Sequence, residues 1–156
     1  MSVGYDIRVA VKAIVVAMGI SGITTDNIKI RMMVRALKGI DRLPCIIIAP
    51  YGTIDDKPAD FEGSRGRIFR VRVAIIDAMT GDTETHDELY SQWIEDIINA
   101  VLVQQSGPEQ GFSRETLAGI DGVWQIRAET IATFDDSKME QGYYAYQNAV
   151  FRFEWQ

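Results

Sequence analysis

The chain carries one histidine, His86, and one cysteine, Cys45, so nucleophilic and metal chemistry have few residues to work with. A single histidine cannot build a histidine metal cluster. A Cys45–His86 pair would need the thiol within reach of the imidazole. Cys45 stands in the apolar run PCIIIAP, however, where an unpaired cysteine behaves as a small buried side chain. His86 falls in MTGDTETHDE and reads as an exposed residue at the start of a helix. The same run offers Asp82, Glu84, Asp87 and Glu88 as oxygen ligands for a divalent cation. Their spacing is not that of an EF-hand. A helix N-terminus, which favours acidic side chains, accounts for them better.

The remaining charged clusters are no more catalytic. GSRGR, residues 63–67, could contact a phosphate, but it has neither a Walker lysine pattern nor a preceding strand. It reads as a flexible loop beside a strand. The acid pairs Asp55–Asp56 and Asp135–Asp136 lie in loop-like sequence, where a solvated carboxylate is the norm. Arg67, Arg70 and Arg72 form a ladder of which Arg70 and Arg72 share one strand face. That face either meets acids on a neighbouring strand or subunit, or looks out to water. The expectation is a protein with no catalytic residues, no cofactor and no metal.

The elements that must position these groups fit one domain, residues 1–156, of ordinary globular composition: 47% hydrophobic and 24% charged. One cysteine excludes an internal disulfide. AVKAIVVAMGI is apolar but interrupted by Lys12, and is too short to cross a bilayer. A soluble, intracellular protein without membrane contact is expected. The net charge is −6, unevenly spread. Residues 1–74 hold twelve Lys/Arg against seven Asp/Glu, whereas residues 75–156 hold four against fifteen. Such a split allows unlike surfaces of identical copies to attract, or describes a solvated acidic helix face. The acidic total argues against sequence-specific DNA binding.

Periodicity supplies the elements. GYDIRVAVKAIVVAM puts Ile7, Val11, Ile14, Val15 and Met18 on one helical stripe, ended by Gly19 and Gly22. NIKIRMMVR alternates, with Ile28, Ile30, Met32 and Val34 on one face of a strand. LPCIIIAP reads as a short strand buried on both faces, bounded by Pro44 and Pro50. YGTIDDKPADFEGSRG reads as a loop. RIFRVRVAIID is a strand with Phe69, Val71, Val73 and Ile75 inward. Thr85 and Glu88 fit a capping box, opening a helix with Leu89, Trp93, Ile94, Ile97, Ile98 and Val101 as its apolar stripe. Residues 105–122 form a glycine-rich connection with a turn of helix around Glu115–Ala118. VWQIRAETIATFD is a strand with Trp124, Ile126, Ala128, Ala132 and Phe134 on one face. YYAYQNAVFRFEW returns as its antiparallel partner, with Phe151, Phe153 and Trp155 together and Tyr144, Tyr146, Val150 and Arg152 opposite. The order α-β-β-β-α-β-β predicts an α+β fold. It is a mixed or antiparallel sheet of about five strands with two main helices packed on one face.

In this order of pieces the chain resembles the tail terminator (tail completion) proteins of long-tailed bacteriophages and the related head-tail neck proteins. The likeness lies in the N-terminal helix, NIKIRMM, LPCIIIAPYG running into a polar loop, RIFRVRVAIID, the acidic helix DELYSQWIEDIINAV and the closing hairpin. It implies a homo-oligomer, typically a hexameric ring, located in the virion at the tail neck and in host cytoplasm during assembly. Such a ring caps the tail tube protein, ends tube polymerisation and meets a head-tail connector or stopper protein. Genomic DNA passes through the lumen without sequence-specific binding. A head-completion or connector role is the near alternative; a small-ligand-binding or regulatory α+β domain is the distant one. The resemblance brings no site residues with it. The candidate contacts read from this sequence are Arg67, Arg70, Arg72, Asp55, Asp56, Phe61, Arg65, Asp87, Glu88, Glu95, Asp96, Lys138 and Met139.

Overall fold

The computed structural model describes residues 2–34, 41–52, 55–57, 66–78, 83–102, 123–129 and 144–155. Helix α1 (Val3–Ala17) begins at Ser2, whose side chain accepts a hydrogen bond from the Tyr5 amide, and Gly19 and Gly22 follow it with positive φ. Left-handed backbone of this kind suits glycine and turns the chain back. A 3-10 turn at Thr25–Asn27 leads into β1 (Ile28–Ile30). Then come β2 (Cys45–Pro50), β3 (Asp55–Lys57), β4 (Gly66–Ala78), α2 (Thr83–Leu102), β5 (Val123–Ala128) and β6 (Tyr144–Trp155). The fold is α+β with a mixed sheet in the order β1-β2-β4-β6-β5. β1 runs parallel to β2, and the other pairs are antiparallel.

Both helices pack on one face. Ile7, Val11 and Val15 of α1 and Tyr90, Ile94, Ile97 and Val101 of α2 share a core with alternate residues of the strands. Those residues include Ile46, Ile48, Phe69, Val71, Val73, Phe151 and Phe153. α1 lies over β1 and β2, and α2 over β6 and β5. Gly4 lets α1 approach closely, because a Cβ there would stand 3.2 Å from the Phe69 ring.

β2 is buried on both faces, as its unbroken apolar run predicts. On the side away from the helices, Cys45, Ile47 and Ala49 join Ala74 and Ile76 of β4 in a second cluster, with Val34 and Leu43 packed against it. Polar ties hold the chain there. Asn27 is buried, and its amide donates to the carbonyls of Arg42 at 3.1 Å and Pro44 at 3.0 Å. Arg31 forms a two-pronged ion pair with Asp41, whose side chain is almost fully buried; the Nη2–Oδ1 arm is 2.6 Å.

This tie corrects the reading of NIKIRMMVR as one alternating strand. Pairing ends early: the Arg31 amide still donates to the Ile48 carbonyl, and the chain then turns away. Met32 and Met33 are left exposed, while Val34 serves the second cluster, across the sheet from Ile28. The reading of residues 51–66 as loop is corrected in part too. Tyr51 continues the ladder by donating to the Arg70 carbonyl, Gly52 takes positive φ, and Asp55–Lys57 pairs with Gly66–Ile68 as β3.

At the other end, β6 lies between β4 and β5. It pairs with β4 from Tyr144 to Trp155 and with β5 from Phe151 to Trp155. This bears out the expected hairpin and adds a second neighbour. A bulge between Val123 and Gln125 shifts the phase, so that Val123 and Ile126 both reach the helix-side core. Simple alternation had grouped Trp124 with Ile126 and missed this extra residue. Ala128 lies at the exposed end of the strand. Ala132, Phe134 and the turn around Glu115–Ala118 lie outside the described residues.

Helix α2 requires two further corrections. It is already under way at Thr83, so Thr85 is not its N-cap, which needs non-helical backbone. Leu89 is 42% exposed, whereas its neighbour Tyr90 is 3% exposed. The buried stripe is therefore Tyr90, Ile94, Ile97 and Val101, with Trp93 and Ile98 at its margin.

Candidate interaction surfaces

Strand alternation turns Arg70 and Arg72 away from the helices, as read from the sequence. The register adds two more cations. Arg70 stands opposite Arg152 on β6, and Arg152 opposite Arg127 on β5, giving three arginines in one row across three strands. Like charges placed directly opposite repel. The row is relieved from within the chain. Arg70 Nε donates to Glu129 Oε1 at 2.7 Å, just beyond β5, and Arg152 Nη2 donates to Glu154 Oε1 at 3.0 Å. The Arg72 guanidinium lies 4.5 Å from the centre of the Tyr51 ring, a cation–π distance. The acids that meet Arg70 and Arg152 are thus intramolecular.

Arg67 does not belong with Arg70 and Arg72. It pairs with Trp155 and Asp56 in register and, three positions before Arg70, falls on the opposite side of β4. Its side chain is exposed. Asp55 and Asp56 sit on β3. Phe61, Arg65, Lys138 and Met139 lie outside the described residues.

The acidic helix presents a second surface. α2 contains Glu84, Asp87, Glu88, Glu95 and Asp96 and no Lys or Arg. Glu88, Gln92, Glu95, Asp96 and Asn99 are exposed along its outer side, where Gln92 Nε2 donates to Asp96 Oδ1 at 2.9 Å. On its inner side, Gln147 Nε2 of β6 donates to Ser91 Oγ at 3.1 Å. The Tyr90 hydroxyl donates to Asp77 Oδ2 at the end of β4. Burial, with this hydrogen bond second, pushes the Tyr90 phenol well above its usual range. These two ties fix the rotation of α2, and with it the outward aim of Glu88, Glu95 and Asp96.

The groups with potential chemistry are placed apart. Cys45 is buried in the second cluster, and burial foremost, with Asp41 next, pushes its thiol up to about 11. His86 lies in the first turn of α2, which rests on the opposite face of the sheet. Among the described residues no three His, Cys, Asp or Glu side chains converge as a metal site.

Arg127, Glu129 and Glu154 were not singled out from sequence. Their signal was present: QIRAE and FRFEW both place Arg and Glu two apart, on one strand face. No protein-family model matches the chain, and no curated protein matches it.

Proposed function

We propose that this chain is a structural subunit that assembles head to tail into a ring. In this reading the ring is that of a tail terminator of a long-tailed phage. It caps the tail tube, stops its growth and offers a surface to the head connector. The observation that carries the reading is the charge polarity of the helical layer. α2, with five acids and no Lys or Arg, covers the β5–β6 end of the sheet. α1, with Arg8 and Lys12 against Asp6, covers the β1–β2 end. One copy therefore carries two unlike surfaces at opposite ends, which is what a heterologous, ring-closing contact uses. The test is electron microscopy of the protein mixed with polymerising tail-tube subunits. Tubes of limited length, each ending in an added ring, are the expected result. Tubes of unchanged length with bare ends would refute the reading.

A further inference from the structure

α1 has two apolar sides. Its inner stripe is the core set Ile7, Val11 and Val15. Its outer side carries Tyr5, Val9, Ala13 and Val16, spaced i, i+4, i+8 and i+11, all exposed. Tyr5 and Val9 are each 43% exposed and Val16 is 37% exposed. Single exposed apolar residues need no explanation, but a continuous stripe along one helix face does. A helix apolar on both sides is normally covered on both.

The charges beside the stripe select what covers it. At 100° per residue Arg8 and Lys12 border the stripe on one flank and Asp6 borders it on the other. Two copies docked antiparallel through α1 would bring their Arg8–Lys12 flanks together, which like charges disfavour; docked parallel, each such flank would meet the single acid Asp6, whereas α2 offers Glu88, Glu95 and Asp96. Arg8 and Lys12 make no ion pair within the described residues. Glu88 and Glu95 on the outer side of α2 make none either, and exposed Leu89 supplies an apolar contact beside Asp96. The two helices cover opposite ends of the same sheet face. Setting the outer side of α2 of one copy against the outer side of α1 of another stacks helix on helix, with Glu88 and Glu95 facing Lys12 and Arg8, whose guanidinium lies 5.8 Å from the centre of its own Tyr5 ring.

We infer that the Tyr5–Val9–Ala13–Val16 stripe of α1 is the docking face for the outer side of α2 in a second copy of this chain. The assignment rests on the reading of the chain as a self-associating subunit and names the surfaces that would join.

The test uses complementary blocked copies, followed by sedimentation velocity. One carries Val9→Glu, with Val16→Glu as an independent second version. The other carries Glu95→Lys and Asp96→Lys. All four positions are exposed, and an unchanged thermal transition checks that each variant folds. The wild type is expected to associate with rising concentration. Each variant alone should associate roughly tenfold or more weakly, as loss of a central contact does. Mixed, the two should form a one-to-one dimer, since each supplies the intact face the other lacks. Variants that assemble like wild type, or a mixture that stays monomeric while wild type assembles, would overturn this contact and leave the ring reading standing. A wild type that stays monomeric at every concentration, or that instead sediments with phosphatidylglycerol vesicles, would also overturn it. Tube capping decides the ring reading separately.

Discussion

The hydroxyl of Tyr90 donates to the carboxylate of Asp77, joining the first half of α2 to the last turn-ward residues of β4. Asp77 also accepts from the Ala78 amide at 2.8 Å, so its carboxylate is held from two sides. The bond sets which side of an otherwise ambiguous amphipathic helix faces the sheet.

The Tyr90 phenol is raised above its unfolded value, so the folded chain keeps a proton that the unfolded chain releases. Its contribution is complete below the unfolded value of about 10 and is lost as pH climbs toward the folded value. Thermal melts from neutral to alkaline pH should show stability falling above about pH 10. Tyr90→Phe should lower stability at neutral pH by about 1–2 kcal/mol and flatten that alkaline loss. An equal alkaline slope in both proteins would place the titration elsewhere.

β2 offers a paired test of two-sided burial. Ile46 faces the helices and Ile47 the second cluster, and both are fully buried. Replacing either with alanine should cost about 2–5 kcal/mol in denaturant melts. A near-neutral Ile47→Ala would mean that the far side of β2 is wet.

The Arg31–Asp41 pair should behave as a buried one, because the Asp41 side chain is 1% exposed. Arg31→Met removes the two-pronged ion pair from that buried carboxylate and should destabilise by about 3–5 kcal/mol. The pair raises the pKa of Arg31, chiefly through the hydrogen bond to Asp41. Cys45 reports on the same region. With its thiol at about 11 and buried, it should resist disulfide reagents at pH 8 in the native protein; because Arg31 holds that thiol down, Arg31→Met raises it further, so faster reaction in the variant would report loosening of the region and not a more acidic thiol.

The Arg70–Glu129 pair is partly exposed on both sides and should contribute far less. A double-mutant cycle with alanine at each position should give a coupling of about 0.2–1 kcal/mol, shrinking as salt is added. A coupling that ignores salt would mean that the sheet face is drier than its exposure indicates.

The main strands and the helix-side core were legible because apolar residues there recur at one unbroken period. Ile7, Val11 and Val15 on α1, and Phe69, Val71 and Val73 on β4, follow the alternation of their elements. Reading failed where a side chain is both polar and apolar, or where one backbone residue breaks the count. Hydrophobicity alone points to Leu89, whereas the structure buries Tyr90, whose ring joins the core while its hydroxyl finds Asp77. The bulge after Val123 and the exit of the chain at Arg31 depend on partners distant in sequence. The interaction surfaces were legible as charge, in α2 and in Arg70 and Arg72. The crossing of Arg70, Arg152 and Arg127 needed the register of three strands, which local pattern does not contain.

The β4–β6 ladder joins residues from 66 positions apart, Ala78 with Tyr144, to 88 apart, Arg67 with Trp155. A growing polypeptide must therefore present the long edge of β4, complete at Ala78, without its neighbour until Tyr144–Trp155 has been translated. Pairing over such separations is slow, and an open apolar strand edge invites the wrong partner meanwhile. Yield during expression should accordingly depend on temperature and chaperone supply far more than the finished fold suggests.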